Sequence, residues 1–341
     1  MRVPGTAPAT DPTVRNTTAA DVDGPAVPTS PQPAQGSGSQ SAAWAELLRL
    51  PALFTVPGDV LAGSASASGR PGPRTLWAIG SSLCLYEAGM VLNDWADRAE
   101  DAAERPHRPL PSGRVRPAAA LTAVCALTIA GLALAARSGR PALTVAVPLA
   151  ATVWAYDLGL KRTPAGPAAM AAARALDLLL GAAATSGHVR SALPSAALLG
   201  THTLALTAVS RHETQGGAPL TPLAALATTG VLTRLVSRGR TLAKGKLPGA
   251  KGQLISFRSG VLAALPAACA AAYAATAARP YLHATLNPSP PLTQRAVGGG
   301  IRATIPLQAA LCARSGAPVS ALITAALAPL AARFAKRVSV T

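Results

Sequence analysis

The chain has 341 residues, of which half are hydrophobic, 13% charged and 3% aromatic, and it carries a formal net charge of +17. A charged share about half the ~25% of soluble proteins argues against two ordinary soluble domains. The scarcity of aromatic stacking surface excludes nucleic acid as the partner of the basic charge. That charge is left to the loops of a membrane protein or to an anionic ligand.

Residues 1–42 are rich in Pro, Ser, Thr, Ala, Gly and Gln and show no apolar periodicity, which predicts a disordered tail. The basic start and apolar run of a secretory signal are not found there. Residues 43–341 are then read as one transmembrane domain. Within it, helices are predicted at about 44–65, 75–92, 117–136, 141–157, 164–186, 192–210, 219–236, 260–282, 295–313 and 317–334. Most approach the ~20 residues that cross a hydrocarbon core. The central segments lack the polar face of a soluble helix. The fold class is therefore an all-α polytopic bundle of about nine transmembrane helices.

Loop charge sets the orientation. Arg98, Arg105, Arg108, Arg114 and Arg116 place the 93–116 loop on the cytoplasmic side of a cell membrane. The equally basic 237–258 loop reaches that side only if 219–236, shortened by Arg234, fails to cross, and this is the reading adopted. Cys84, Cys125, Cys269 and Cys312 form no metal-ligand spacing and read as small apolar fillers.

The sharpest signal lies where the second helix leaves the membrane, in Asn93-Asp94-Trp95-Ala96-Asp97-Arg98-Ala99-Glu100-Asp101. On a helix, Asn93, Asp97 and Asp101 share one face. Oxygen donors in such a row suit magnesium, which completes its shell with water and phosphate oxygens. A solvated helix end could also carry carboxylates. Yet five of the chain's 14 acidic residues fall between Asp94 and Glu104, too many for mere solvation.

This stretch, followed by Arg108-Pro109-Leu110-Pro111-Ser112-Gly113, resembles the first aspartate-rich motif of UbiA-type prenyltransferases. Tyr156-Asp157-Leu158-Gly159-Leu160-Lys161 resembles that family's Tyr-then-Lys element. The resemblance implies about nine helices around a cavity, and transfer of a prenyl group from an allylic diphosphate to a hydrophobic acceptor within the bilayer. It implies Mg2+ at Asn93, Asp97 and Asp101, with Glu213 as a further ligand. Asp97, Asp101 and Lys161 would be catalytic, and Asn93, Asp94, Arg108, Tyr156, Arg162 and Glu213 would bind the diphosphate. The second acidic motif is degenerate: Ser210-Arg211-His212-Glu213-Thr214-Gln215 keeps one carboxylate. That departure leaves a non-catalytic lipid-binding or transport protein of the same fold as the alternative.

Ionisable residues inside helices are functional candidates, since a mid-bilayer charge costs about 2.5–3.5 kcal/mol on insertion scales. Asp59 and Glu87 are candidates to line the cavity. Arg174 and Asp177, spaced i, i+3, are expected to neutralise each other.

Overall fold

The computed structural model describes residues 37–48, 50–67, 70–238 and 252–338. The expected tail therefore lies outside the described residues up to position 36, and its last part is helical. Twelve helices are present among the described residues: α1 Ser37–Leu47, α2 Val56–Ser66, α3 Pro73–Ala96, α4 Arg98–Glu104, α5 Pro117–Ser138, α6 Arg140–Leu158, α7 Gly166–Ser186, α8 Leu193–Ser210, α9 Leu220–Ser237, α10 Gly252–Leu286, α11 Pro290–Arg314 and α12 Pro318–Val338.

The count exceeds nine for local reasons. The segment 44–65 is not one helix. It breaks into α1, a 3-10 turn over Leu50–Thr55 and α2, where Pro51 and Pro57 remove backbone donors. The short α4 is set off from α3 by Asp97, whose φ of −91° and ψ of 3° leave the helical region. Proline in the first turn of α3, α5, α6, α7, α8 and α11 marks where each begins.

Among the described residues, six helices, α3 and α5 to α9, are long and apolar enough to cross a bilayer. The outward faces carry exposed large apolar side chains such as Leu76, Ile129, Val231 and Leu322, as lipid contact requires. Backbones approach closely where glycines permit it. A Cβ on Gly63 of α2 would fall on the Leu178 carbonyl of α7, and one on Gly181 of α7 would fall on the Val60 carbonyl of α2. This reciprocal pair draws α2 and α7 together.

The bundle has two ends. At one, the Gly217 N–H donates to the Pro288 carbonyl at 2.7 Å, joining the α8–α9 loop to the α10–α11 turn. At the other, Ser66 Oγ donates to Ser195 Oγ at 2.8 Å and meets Ser315 Oγ at 3.4 Å, joining the ends of α2 and α11 to the start of α8. The aspartate motif lies at the first end. Helix α9 starts there too, at Leu220, and runs its full 18 residues away from it. This corrects the reading that 219–236 stops short: one arginine at position 234, in the last turn, does not interrupt an otherwise apolar helix. The basic 237–258 loop therefore leaves from the end opposite the motif, and residues 239–251 of it lie outside the described residues.

Candidate active site

Helices α3 and α4 carry the motif through an unbroken hydrogen-bond ladder. The Asp97 N–H donates to the Asn93 carbonyl at 3.0 Å, Asp101 to Asp97 at 2.8 Å, and Arg105 to Asp101 at 2.8 Å. The i, i+4, i+8 relation thus survives the break at Asp97, but each side chain finds a different partner. Asn93 Nδ2 donates to Asp157 Oδ1 of α6 at 3.0 Å. Asp97 Oδ1 stands 2.8 Å from Lys161 Nζ and 3.1 Å from Arg162 of the α6–α7 loop. Arg162 also reaches Glu100 at 3.4 Å. Asp101 Oδ2 accepts from Arg108 at 2.7 Å, and the same guanidinium lies 3.6 Å from Asp94.

Carboxylates and cations therefore alternate across the end of the bundle. Among the described residues, no three acidic, histidine or cysteine side chains converge on one point. Asp101 and Asp94 are buried, and Lys161 is only 11% exposed at its side chain. A charge so shielded from water keeps more of its strength than a surface pair.

The degenerate second motif packs at the edge of this mouth. Arg211 donates to the Thr163 carbonyl and so ties the α8–α9 loop to the α6–α7 loop. Glu213 is half-buried, and that burial raises its pKa against the opposing pull of Arg105. Arg105 itself lies 3.8 Å from Asp101. Glu213 thus feels Arg105 electrostatically, and among the described residues it makes no ion pair with the first motif.

Below the mouth, a cavity of about 260 Å³ runs between α3, α6 and α7. Asn93, Tyr156 and Asp157 form its upper wall, and Leu85, Met90, Leu149, Val153 and Met170 an apolar belt. Ser82, Arg174 and Asp177 close the other end. Asp157 is the residue the sequence reading passed over. It is buried and holds Asn93, and its signal was its place between Tyr156 and Lys161.

The intramembrane charges pair differently from expectation. Arg174 does not turn to Asp177. It bonds Asp59 of α2 and donates to Thr55 Oγ1 at 3.0 Å. Asp59 is fully buried and also accepts from Gln308 Nε2 of α11 at 2.6 Å. Asp177 accepts from Ser82 Oγ of α3 at 2.7 Å. The close approach of α2 and α7 is what lets an arginine on one reach a carboxylate on the other. Asp59 sits behind the cavity wall rather than on it. Glu87 is buried off the cavity, and both its carboxylate oxygens make no hydrogen bond among the described residues.

An all-helical bundle that crosses the bilayer repeatedly, with an acidic and basic mouth over an apolar cavity, defines an integral membrane protein of the polytopic class. The model of the UbiA prenyltransferase family matches residues 52–236, more than half of the chain, and the chain belongs to that family.

Among relatives, the digeranylgeranylglyceryl phosphate synthase of Methanothrix thermoacetophila is 34% identical over 136 residues, covering 37% of this chain and 51% of that one. The chloroplastic chlorophyll synthase of Oryza sativa subsp. japonica is 43% identical over 56 residues, covering 16% of this chain and 15% of that one. The chain spans about half the length, or less, of the first curated relatives it matches.

Solved structures share the fold. A digeranylgeranylglyceryl phosphate synthase superposes with a TM-score of 0.57 at 16% identity, over 81% of this chain and 98% of that one. A UbiA homolog from Archaeoglobus fulgidus bound to GPP and Mg2+ gives 0.54 at 17% identity, over 82% and 99%.

Proposed function

We propose that the domain beyond residue 43 transfers a prenyl group from an allylic diphosphate to a hydrophobic acceptor within the membrane, in a magnesium-dependent reaction. The observation that carries this reading is the mouth itself: oxygen donors and cations interleaved directly above an apolar cavity. The relatives' names and the Archaeoglobus fulgidus homolog's ligands support it.

The donor set fits magnesium in kind. Asn93, Asp97 and Asp101 offer only oxygen from the motif face, as a hard cation prefers. Bound there, the ion would neutralise charge on the leaving pyrophosphate. The remaining steps fall to the chain's own groups. An arriving diphosphate competes with Asp97 and Asp101 for Lys161, Arg162 and Arg108. Those cations then turn to phosphate, and the carboxylates are released. Lys161, mostly shielded from water, favours the charge that develops on the bridging oxygen as the carbon–oxygen bond opens. Asp157 holds the Asn93 amide in place. The prenyl tail lies in the belt of Leu85, Leu149 and Val153, where flexible Met90 and Met170 adapt to its shape. The belt keeps water from the allylic cation.

The mouth faces the cytoplasm on this reading, which gives the Arg98, Arg105, Arg114 and Lys161 cluster more weight than the basic 237–258 loop that leaves from the other end. The test is pyrophosphate release from a panel of allylic diphosphates, in detergent, with magnesium or with EDTA. Release should require magnesium and fall by about a hundred- to a thousandfold in Asp97→Ala. Undiminished release in that variant would remove the motif from the chemistry. Uptake of the diphosphate into vesicles without its consumption would favour transport instead.

A further inference from the structure

A second cavity, larger than the first at about 620 Å³, lies between α10, α11 and α12. Its size falls within the ~300–1,000 Å³ of small-molecule sites. Its walls are apolar and narrow in side chain: Ala272, Ile305, Ala309 and Ala328 face it, with Thr55 at its inner side. Arg302 is the only charged group among the described residues that line it.

That arginine stands midway along the 25-residue α11 and is exposed. Among the described residues it makes no ion pair or hydrogen bond. An exposed guanidinium at the rim of an apolar groove, with no ion pair of its own among the described residues, suits an anionic ligand. Its place in the groove says which kind. On α11 the lining residues run from Ile301 and Arg302 away from the motif end, so Arg302 stands at the groove's motif-side limit. Its guanidinium folds back over Gly298, where a Cβ would lie 3.2 Å from Arg302 Nη1. Gly298 thus leaves open the approach to the charge. Arg295, also exposed, sits seven residues earlier on the same face, about 10.5 Å nearer the motif end along the axis.

The geometry points to a site for an anionic bilayer lipid, distinct from the cavity under the aspartate motif. Its phosphate is met by Arg302 and, nearer the surface, by Arg295, and one hydrocarbon chain fills the alanine-lined groove. Charge complementarity selects the anionic head, and the α12 residues that line the groove, Ala325, Ala328, Ala331 and Ala332, leave width for the chain. A guanidinium suits phosphate because its planar donors reach two oxygens together.

The inner wall couples the two cavities. Thr55 lines the lipid groove, and its hydroxyl accepts from Arg174, which closes the first cavity.

The experiment is native mass spectrometry on the full chain purified in detergent, titrated with phosphatidylglycerol or phosphatidylcholine of identical acyl chains and with no prenyl donor present. Wild type should retain phosphatidylglycerol about tenfold better, the scale of one charge-assisted contact. Arg302→Gln should lose that preference. Ala328→Phe, which keeps the charge but fills the groove, should lose retention of both lipids, with thermal midpoints confirming that each variant is folded. Equal retention of the two lipids by wild type, or an undiminished preference in Arg302→Gln, overturns the site. Because no donor is present, either result is independent of whether the motif turns over a diphosphate.

Discussion

Two groups of charge sit in this bundle, and they are built in opposite ways. At the mouth, Asn93, Asp94, Asp97 and Asp101 come from one continuous stretch; Asn93 holds Asp157, and the three carboxylates meet Arg108, Lys161 and Arg162. Deeper, Asp59, Arg174, Asp177, Ser82 and Gln308 come from α2, α7, α3 and α11 and meet around the fully buried Asp59. In the first group a lost partner leaves another at hand, since Asp97 has both Lys161 and Arg162, and Asp101 both Arg105 and Arg108. In the second, Arg174 is the one cation paired with the fully buried Asp59 among the described residues, and an ion left alone there stays desolvated. The mouth is therefore free to exchange partners with a ligand, while the deep group holds four helices in one arrangement.

Arg174→Ala should draw the difference most sharply. It strands the fully buried Asp59, and breaking a buried pair of this kind costs about 3–5 kcal/mol. Thermal or denaturant unfolding in detergent should show the loss. Adding Asp59→Asn should recover part of it, a coupling that a double-mutant cycle measures. A single variant as stable as wild type would mean that water enters the deep group and that the contrast is false.

Asp97→Ala is the mirror image. Turnover should fall by a factor equivalent to about 2.7–4 kcal/mol. Stability should move less than in Arg174→Ala, since Asp97 is 23% and its partner Arg162 63% exposed, although Lys161 is shielded. Unfolding on the scale of Arg174→Ala would make the mouth a structural network after all. Smaller than the loss expected for Arg174→Ala is that from the packing that brings α2 to α7. Gly181→Ala forces a methyl onto the Val60 carbonyl and should destabilise by about 1–3 kcal/mol, as overpacking does.

The same contrast explains what could be read in advance. The mouth was legible because its donors share a stretch of nine residues, and helical periodicity alone puts them on one face. The bundle was legible from apolar length, which finds spans whatever their neighbours are. Partners across helices were not legible. Arg174 and Asp177 looked paired because they are three residues apart, but their true partners are 115 and 95 residues away. Nothing in periodicity says which helix lies opposite. The split of 44–65 turned on prolines that other helices here tolerate internally, as α6 does with Pro148. Asp157 went unmarked because one carboxylate beside a tyrosine has no pattern until Asn93 faces it.

Glu213 is the finest test of where the mouth ends. As a metal ligand its loss would resemble that of Asp97. Held instead within the field of Arg105 on a half-buried loop, it makes no ion pair with that arginine among the described residues, and Glu213→Gln should change turnover by no more than about threefold. The variant should differ more visibly in its response to pH. Burial raises the Glu213 pKa, so the protonated form is favoured in the folded state. Its contribution to stability is present at acid pH and is lost as pH rises through the raised value. Glutamine cannot titrate, so the variant should lack that small decline in melting temperature between the ordinary carboxylate range and the raised value. A variant that instead loses magnesium-dependent release by a hundredfold would place Glu213 among the ligands, and would extend the exchangeable group at the mouth to the α8–α9 loop.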